Sequence, residues 1–295
     1  MTFGDIDLAL SLGGLVAGLM VGLTGMGGAA LVTPMLVLLF GIPPAAAVSS
    51  DVVASAFMKP VGAWVHVRAK TVHWGLVAWL SAGSVPGVLL GTVVFARVLT
   101  TDEASETIRT WIGYVLLLAL AAMLAKVWVA RRASHLREVQ VPMGTDMPVR
   151  PLPTMMLGLG VGILVGMTSV GSGSLIVTTL LLLYPLLRPS ILVGTDLTQA
   201  VPMLVAGAIA HAGFGDISVA VVVSLLIGQI PGVWIGARMS SRYDGHALRW
   251  LLMVVLAATA LKLLGVSSLI AGMIAIVGVL VVSTLYVRER IHATT

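Results

Sequence analysis

The chain has 295 residues, of which 58% are hydrophobic and 10% charged, with a mean hydropathy of +1.07. A soluble domain carries about 25% charged residues, so a water-soluble fold is excluded and an all-α polytopic membrane protein is predicted. The net charge of +5 then speaks of orientation and lipid headgroups rather than nucleic acid, and the absence of cysteine excludes disulfides, thiolate metal sites and cysteine nucleophiles.

Apolar segments fall near 6–24, 28–41, 44–66, 73–98, 107–129, 154–170, 173–187, 189–212, 217–238, 247–264 and 266–287. The N-terminus lacks the basic region of a cleaved signal, so the first segment is expected to be a retained helix. Crossing a bilayer takes about 20 helical residues, so 28–41 and 173–187 are either short spans or the return arms of re-entrant hairpins. The polar stretch 131–153 is the one long connector.

Each short segment follows a knot of small residues, Gly22–Pro34 in the first half and Gly166–Thr178 in the second, 144 residues apart. Glycine permits a break in a membrane helix and exposes backbone N–H groups at a positive half-helix end, a seat for an anion. Small residues also serve plain close packing, but interruptions at corresponding places in two halves point to a binding site. Hydroxyls of Thr24, Thr168, Ser169, Ser172 and Ser174 would serve an oxyanion there, or bond backbone within the broken helix.

The duplication continues at an offset of 145, which aligns Asp51 with Asp196, Met58 with Met203, His66 with His211 and Pro86-Gly87 with Pro231-Gly232. Leu120-Ala121-Ala122 with Lys126 recurs as Leu256-Ala257-Ala258 with Lys262. The predicted layout is an N-terminal repeat over 1–130, a cytoplasmic linker over 131–153, a C-terminal repeat over 154–265, and an extra helix with a tail over 266–295. With the linker inside, thirteen Lys and Arg residues face the cytoplasm and three face outside, a clear positive-inside bias. His66 then lies on the cytoplasmic side and His211 outside, so the repeats are inverted, with the N-terminus outside and the C-terminus cytoplasmic. Inverted repeats with broken helices typify alternating-access transporters.

Ionisable groups within spans cost roughly 2.5–3.5 kcal/mol on insertion scales and are functional candidates. Here they are Asp51, Lys59 and Asp196. Asp51, Ser55 and Lys59 share one helix face, and Thr195 and Gln199 share another beside Asp196. The aspartates are candidates for carrying protons, or for capping helix starts; Lys59 is a candidate charge partner for an anion, or a snorkelling side chain. The histidines lack metal-ligand spacing and no metal or other cofactor is expected. Trp64, Trp74, Trp79, Trp128, Trp250 and Tyr286 are placed as an interfacial belt. Gly171-Ser172-Gly173-Ser174 lacks a nucleophile-elbow frame and there is no Walker motif, so neither enzyme nor ATP drive is indicated.

These residues together resemble the sulfite exporter TauE/SafE family of bacterial membrane proteins. The carriers are Gly25-x-Gly27-Gly28-x5-Pro34 and its echo at 169–173, Ser50-Asp51, Gly194-Thr195-Asp196, and the two Pro-Gly pairs. The resemblance implies transport of sulfite or organosulfonates such as sulfoacetate, coupled to protons, in the bacterial cytoplasmic (inner) membrane. The residues alone reach an anion seat, with an anion channel or a carrier of another small carboxylate or inorganic anion as alternatives. The expected seat is Thr24, Gly27, Gly28, Thr168, Ser172, Gly173, Thr195 and Gln199, with Lys59 as charge partner and Asp51 and Asp196 coupling protons.

Overall fold

A computed structural model describes residues 6–24, 29–139, 147–214, 217–239, 246–274 and 276–278. All regular structure among them is helical: α1 (Leu8–Thr24), α2 (Ala29–Leu38), α3 (Pro44–Arg68), α4 (Trp74–Val98), α5 (Ala104–Val139), α6 (Pro151–Thr168), α7 (Ser172–Leu183), α8 (Pro189–Phe214), α9 (Val219–Met239) and α10 (His246–Leu263). Five helices contain stretches long and apolar enough to cross a membrane: Trp74–Val98, Ala104–Ala125, Pro151–Thr168, Pro189–Gly213 and Val219–Met239. The chain is therefore an all-helical, multi-pass membrane protein. A further apolar helix occupies Ser268–Gly278; the rest of the expected last span lies outside the described residues. Helix α5 runs on to Val139, so the beginning of the expected connector is helical.

Of the two short segments, α7 folds back along α6. Helix α7 is about 18 Å long at 1.5 Å per residue, well short of a hydrocarbon core of about 30 Å. Tyr184, which ends it, uses its Oη to bond the Arg150 amide (2.8 Å) and Thr154 Oγ1 (2.7 Å) at the start of α6. The chain thus enters through α6, bends, and comes back beside its own entry point. The bend holds Ser169 in the left-handed region (φ 62°) and Gly171 at φ 113°. In the first half Gly13 of α1 touches the tip of Met35 in α2, the same antiparallel arrangement.

Two glycine-lined interfaces bring helix backbones into direct contact. A Cβ on Gly87 of α4 would be driven into the Leu159 carbonyl of α6, and one on Gly232 of α9 into the Leu15 carbonyl of α1. Without an aqueous driving force between helices, such close approach supplies van der Waals contact that larger residues would forbid. Both pairs run parallel, since Gly83 meets Met155 where Gly91 meets Ile163, and Gly18 meets Gln229 where Gly22 meets Ala237. Between them α3 and α8 pack antiparallel, with Gly62 against Leu197 and Gly207 against Val52. Helix α3 also runs alongside α9, with Gly62 against Val233. This central pair carries the aspartates, and Pro60 and Pro202 interrupt their hydrogen-bond ladders.

Candidate functional site

Asp51 is the seventh and Asp196 the seventh residue beyond the first of its helix, α3 and α8 respectively, and both are completely buried. Neither sits at a helix start, so N-capping does not account for either. Asp51 draws three elements together: its Oδ2 accepts from Thr33 Oγ1 of α2 (2.6 Å) and from Ser169 Oγ at the α6–α7 bend (3.0 Å), while Oδ1 accepts from Ser55 Oγ (3.4 Å). The three hydroxyls replace part of the hydration a carboxylate loses on burial.

Two turns along the same face, Lys59 is 2% exposed and its Nζ has no hydrogen-bond partner among the described residues. Asp51 shares that face, and Asp196 lies on α8 next to Leu197, which packs on Gly62 of α3. One cation and two carboxyl groups, contributed by both halves, therefore occupy the α3–α8 crossing. Gln199 joins them from α8, accepting at Oε1 from Ser84 Oγ of α4 (3.3 Å), with its Nε2 left unpartnered.

The other expected residues divide. Ser172 and Gly173 are buried in the first turn of α7, beside the bend that reaches Asp51, and no side chain caps that turn. Thr168 spends its hydroxyl on backbone, donating to the Leu164 carbonyl (2.7 Å) and accepting from the Val170 amide (3.2 Å). Thr195 accepts from the His73 amide (3.0 Å) at the entry to α4, and in the other half Ser50 accepts from the Ser218 amide (3.1 Å). Both are clamps between halves. Gly27, Gly28 and the side chain of Thr24 lie outside the described residues.

The histidines at corresponding helix ends differ. His211 is fully buried, with Nδ1 on Ser49 Oγ (3.1 Å), Nε2 on the Gly166 carbonyl (2.9 Å) and its ring 4.9 Å from that of Phe95. His66 bonds only Thr71 Oγ1 through Nδ1 (2.9 Å), and its Nε2 is buried without a partner. A separate cavity of about 600 Å³ opens at the start of α3, lined by Ile42, Pro43, Pro44, Glu106, Arg109 and Gly265 among others.

The family model described as sulfite exporter TauE/SafE matches residues 10–263, which takes in α2 to α10 and all but the first two residues of α1. The chain belongs to the sulfite exporter TauE/SafE family. The probable membrane transporter protein YjnA of Bacillus subtilis (strain 168) is 34% identical over 260 residues, covering 88% of this chain and 100% of that protein. The probable membrane transporter protein YdhB of the same organism is 24% identical over 248 residues, covering 84% and 96% respectively. No solved structure matches. This TauE/SafE chain is thus a membrane transporter. Within it, sequence reasoning missed Thr33 and Ser84 as partners of site residues. Thr33 sits next to Pro34 inside the quoted knot, but nothing in the linear pattern aims its hydroxyl at α3.

Proposed function

We propose that this transporter exports a small anion, sulfite or an organosulfonate such as sulfoacetate, by proton-coupled alternating access across the bacterial cytoplasmic membrane. The observation that carries this reading is Lys59, buried on the face of α3 that carries Asp51 and without a hydrogen-bond partner among the described residues. A buried charge lacking hydrogen bonds costs several kcal/mol, and intramembrane charges are kept where an ion passes. An anion docking on Lys59 supplies the missing acceptors. The remaining seat is Thr24, Gly27, Gly28, Ser172 and Gly173 at the two knots, with Thr168, Thr195 and Gln199 supporting them.

Asp51 and Asp196 couple protons through charge balance. With both ionised, Lys59 leaves the layer at a net charge of −1, and a monoanion would add another. Repulsion between like charges is strong at low dielectric, so a proton taken up by one aspartate accompanies the anion. The antiparallel packing of α3 and α8 and the exchanged pairing of α1 with α9 and α6 with α4 support two inverted repeats, 1–130 and 154–265, around this layer. The linker 131–153 is cytoplasmic, and 266–295 adds a helix that returns the C-terminus to the cytoplasm, opposite an external N-terminus.

Sulfite flux in proteoliposomes, with and without a pH gradient and competed by sulfoacetate, sulfate and acetate, tests the proposal. Saturable, gradient-dependent flux is expected. Flux that never saturates and ignores the gradient would instead make the protein a channel.

A further inference from the structure

Gln229 of α9 is fully buried, and among the described residues neither its Nε2 nor its Oε1 has a hydrogen-bond partner. Buried amides in folded proteins are nearly always satisfied, so both atoms require an explanation. The residue stands on the stripe Val222, Leu226, Gln229, Val233, which follows helical spacing. Val222 packs in a cluster with Ala47 and Ala54 of α3, and Val233 in one with Met58 and Ala63 of α3. Gln229 lies between these two levels of α9, in register with α3 residues 54 to 63, the stretch that carries Lys59. On α8, Leu197 packs on Gly62, which sets Gln199 at the same level from the other side.

The duplication sharpens the point. The offset of 145 maps Ser84 onto Gln229 and Gln199 onto Ala54. At the α4–α8 interface Ser84 and Gln199 bond each other. At the α9–α3 interface the glutamine is on α9 and the residue at the other corresponding position is a buried alanine, which offers its amide nothing.

We infer that Gln229 contacts the substrate and selects an oxyanion bearing an O–H group, an inference that rests on the transport reading above and favours hydrogensulfite over the organosulfonates within it. Among the described residues three buried donors lack partners, Lys59 Nζ on α3, Gln199 Nε2 on α8 and Gln229 Nε2 on α9, and such groups suit the acceptor oxygens of a small anion. The Gln229 Oε1 is an acceptor without a donor, and a ligand O–H supplies one. Hydrogensulfite and hydrogencarbonate have that group; nitrate, a trigonal monoanion like hydrogencarbonate, does not.

The test is competition against labelled sulfite flux in proteoliposomes by hydrogencarbonate and by nitrate, in the wild-type protein and in Gln229→Met. One neutral hydrogen bond corresponds to roughly three- to tenfold in affinity, so the wild type should prefer hydrogencarbonate by about that factor and Gln229→Met should lose the preference. A preference that survives the substitution overturns the role of Gln229, and no preference in the wild type overturns the ligand class. Absence of any saturable sulfite flux in the wild type would defeat the transport reading itself, a result distinct from both. Should Gln229→Met not reconstitute, Gln229→Asn withdraws the amide by one methylene and carries the same expectation.

Discussion

Gly87 and Gly232 are counterparts in the two halves, and each abuts the carbonyl of a leucine, Leu159 and Leu15, that are counterparts in turn. The clamps repeat as well: Thr195 holds the His73 amide as Ser50 holds the Ser218 amide. Several other polar residues between the same helices do not repeat, although Asp51 and Asp196 do. Lys59 corresponds to Leu204, Ser84 to Gln229, and Ser169 to Gly25. His211 has a serine, a carbonyl and an aromatic ring where His66 has one threonine. Packing has to be satisfied in each half separately, because each pair of helices must close against its neighbour. On the proposal above, a single translocation site would need its cation only once, which leaves chemistry free to diverge where packing is not.

The largest effect expected is on the shared frame. Gly87→Leu and Gly232→Leu should each cost at least ~3 kcal/mol, because the obstacle is a backbone carbonyl and not a movable side chain. Thermal unfolding in detergent should show comparable losses for the two variants. Tolerance of one and collapse with the other would mean that the interfaces are not equivalent in energy, whatever their geometry.

That frame was largely legible in the sequence, and the site only in part. Apolar length gave the spans, and matched Asp, His and Pro-Gly positions gave the duplication, because these features repeat along the chain. Whether 173–187 crosses or returns was not legible: it depends on Tyr184 reaching back to Arg150 and Thr154, a contact between residues more than thirty positions apart. The buried charges stand out against their apolar surroundings, which is why Asp51, Lys59 and Asp196 are legible as candidates. Thr195 and Thr168 carried the right chemistry for an anion, but their hydroxyls are engaged by backbone groups, Thr195 by an amide of another helix and Thr168 within its own broken helix. Gln229 went unnoticed because one amide in an apolar helix has no periodic signature; only its missing partners mark it.

The next effect lies in the divergent layer. Lys59→Met keeps the stem of the side chain and removes its charge, and should reduce kcat/KM for sulfite at least ~30-fold, the equivalent of ~2 kcal/mol for a buried charge contact. Proteoliposome flux measures it, with gel filtration to establish that the variant remains monodisperse. Asp196→Asn should leave substrate exchange intact while abolishing the response to an imposed pH gradient. Full gradient dependence in that variant would remove Asp196 from proton coupling and leave Asp51 to be tested in the same way.

The smallest effect is expected at Ser169, in the α6–α7 bend. Ser169 holds a left-handed conformation that glycine adopts freely, and glycine is what the first half has at the corresponding Gly25. The serine is retained in a costly conformation because its Oγ donates to Asp51. Ser169→Gly loses a hydrogen bond to a carboxyl group, ~1.5–3 kcal/mol if the acceptor is ionised, and relieves ~1–2 kcal/mol of backbone strain, for a net loss of roughly 1 kcal/mol. Ser169→Ala loses the same bond and keeps the strain, so it should be the less stable of the two. Thermal unfolding of both variants checks the order. If alanine proves the more stable, the bend is not strained in the membrane protein, and the serine is there for its hydroxyl alone.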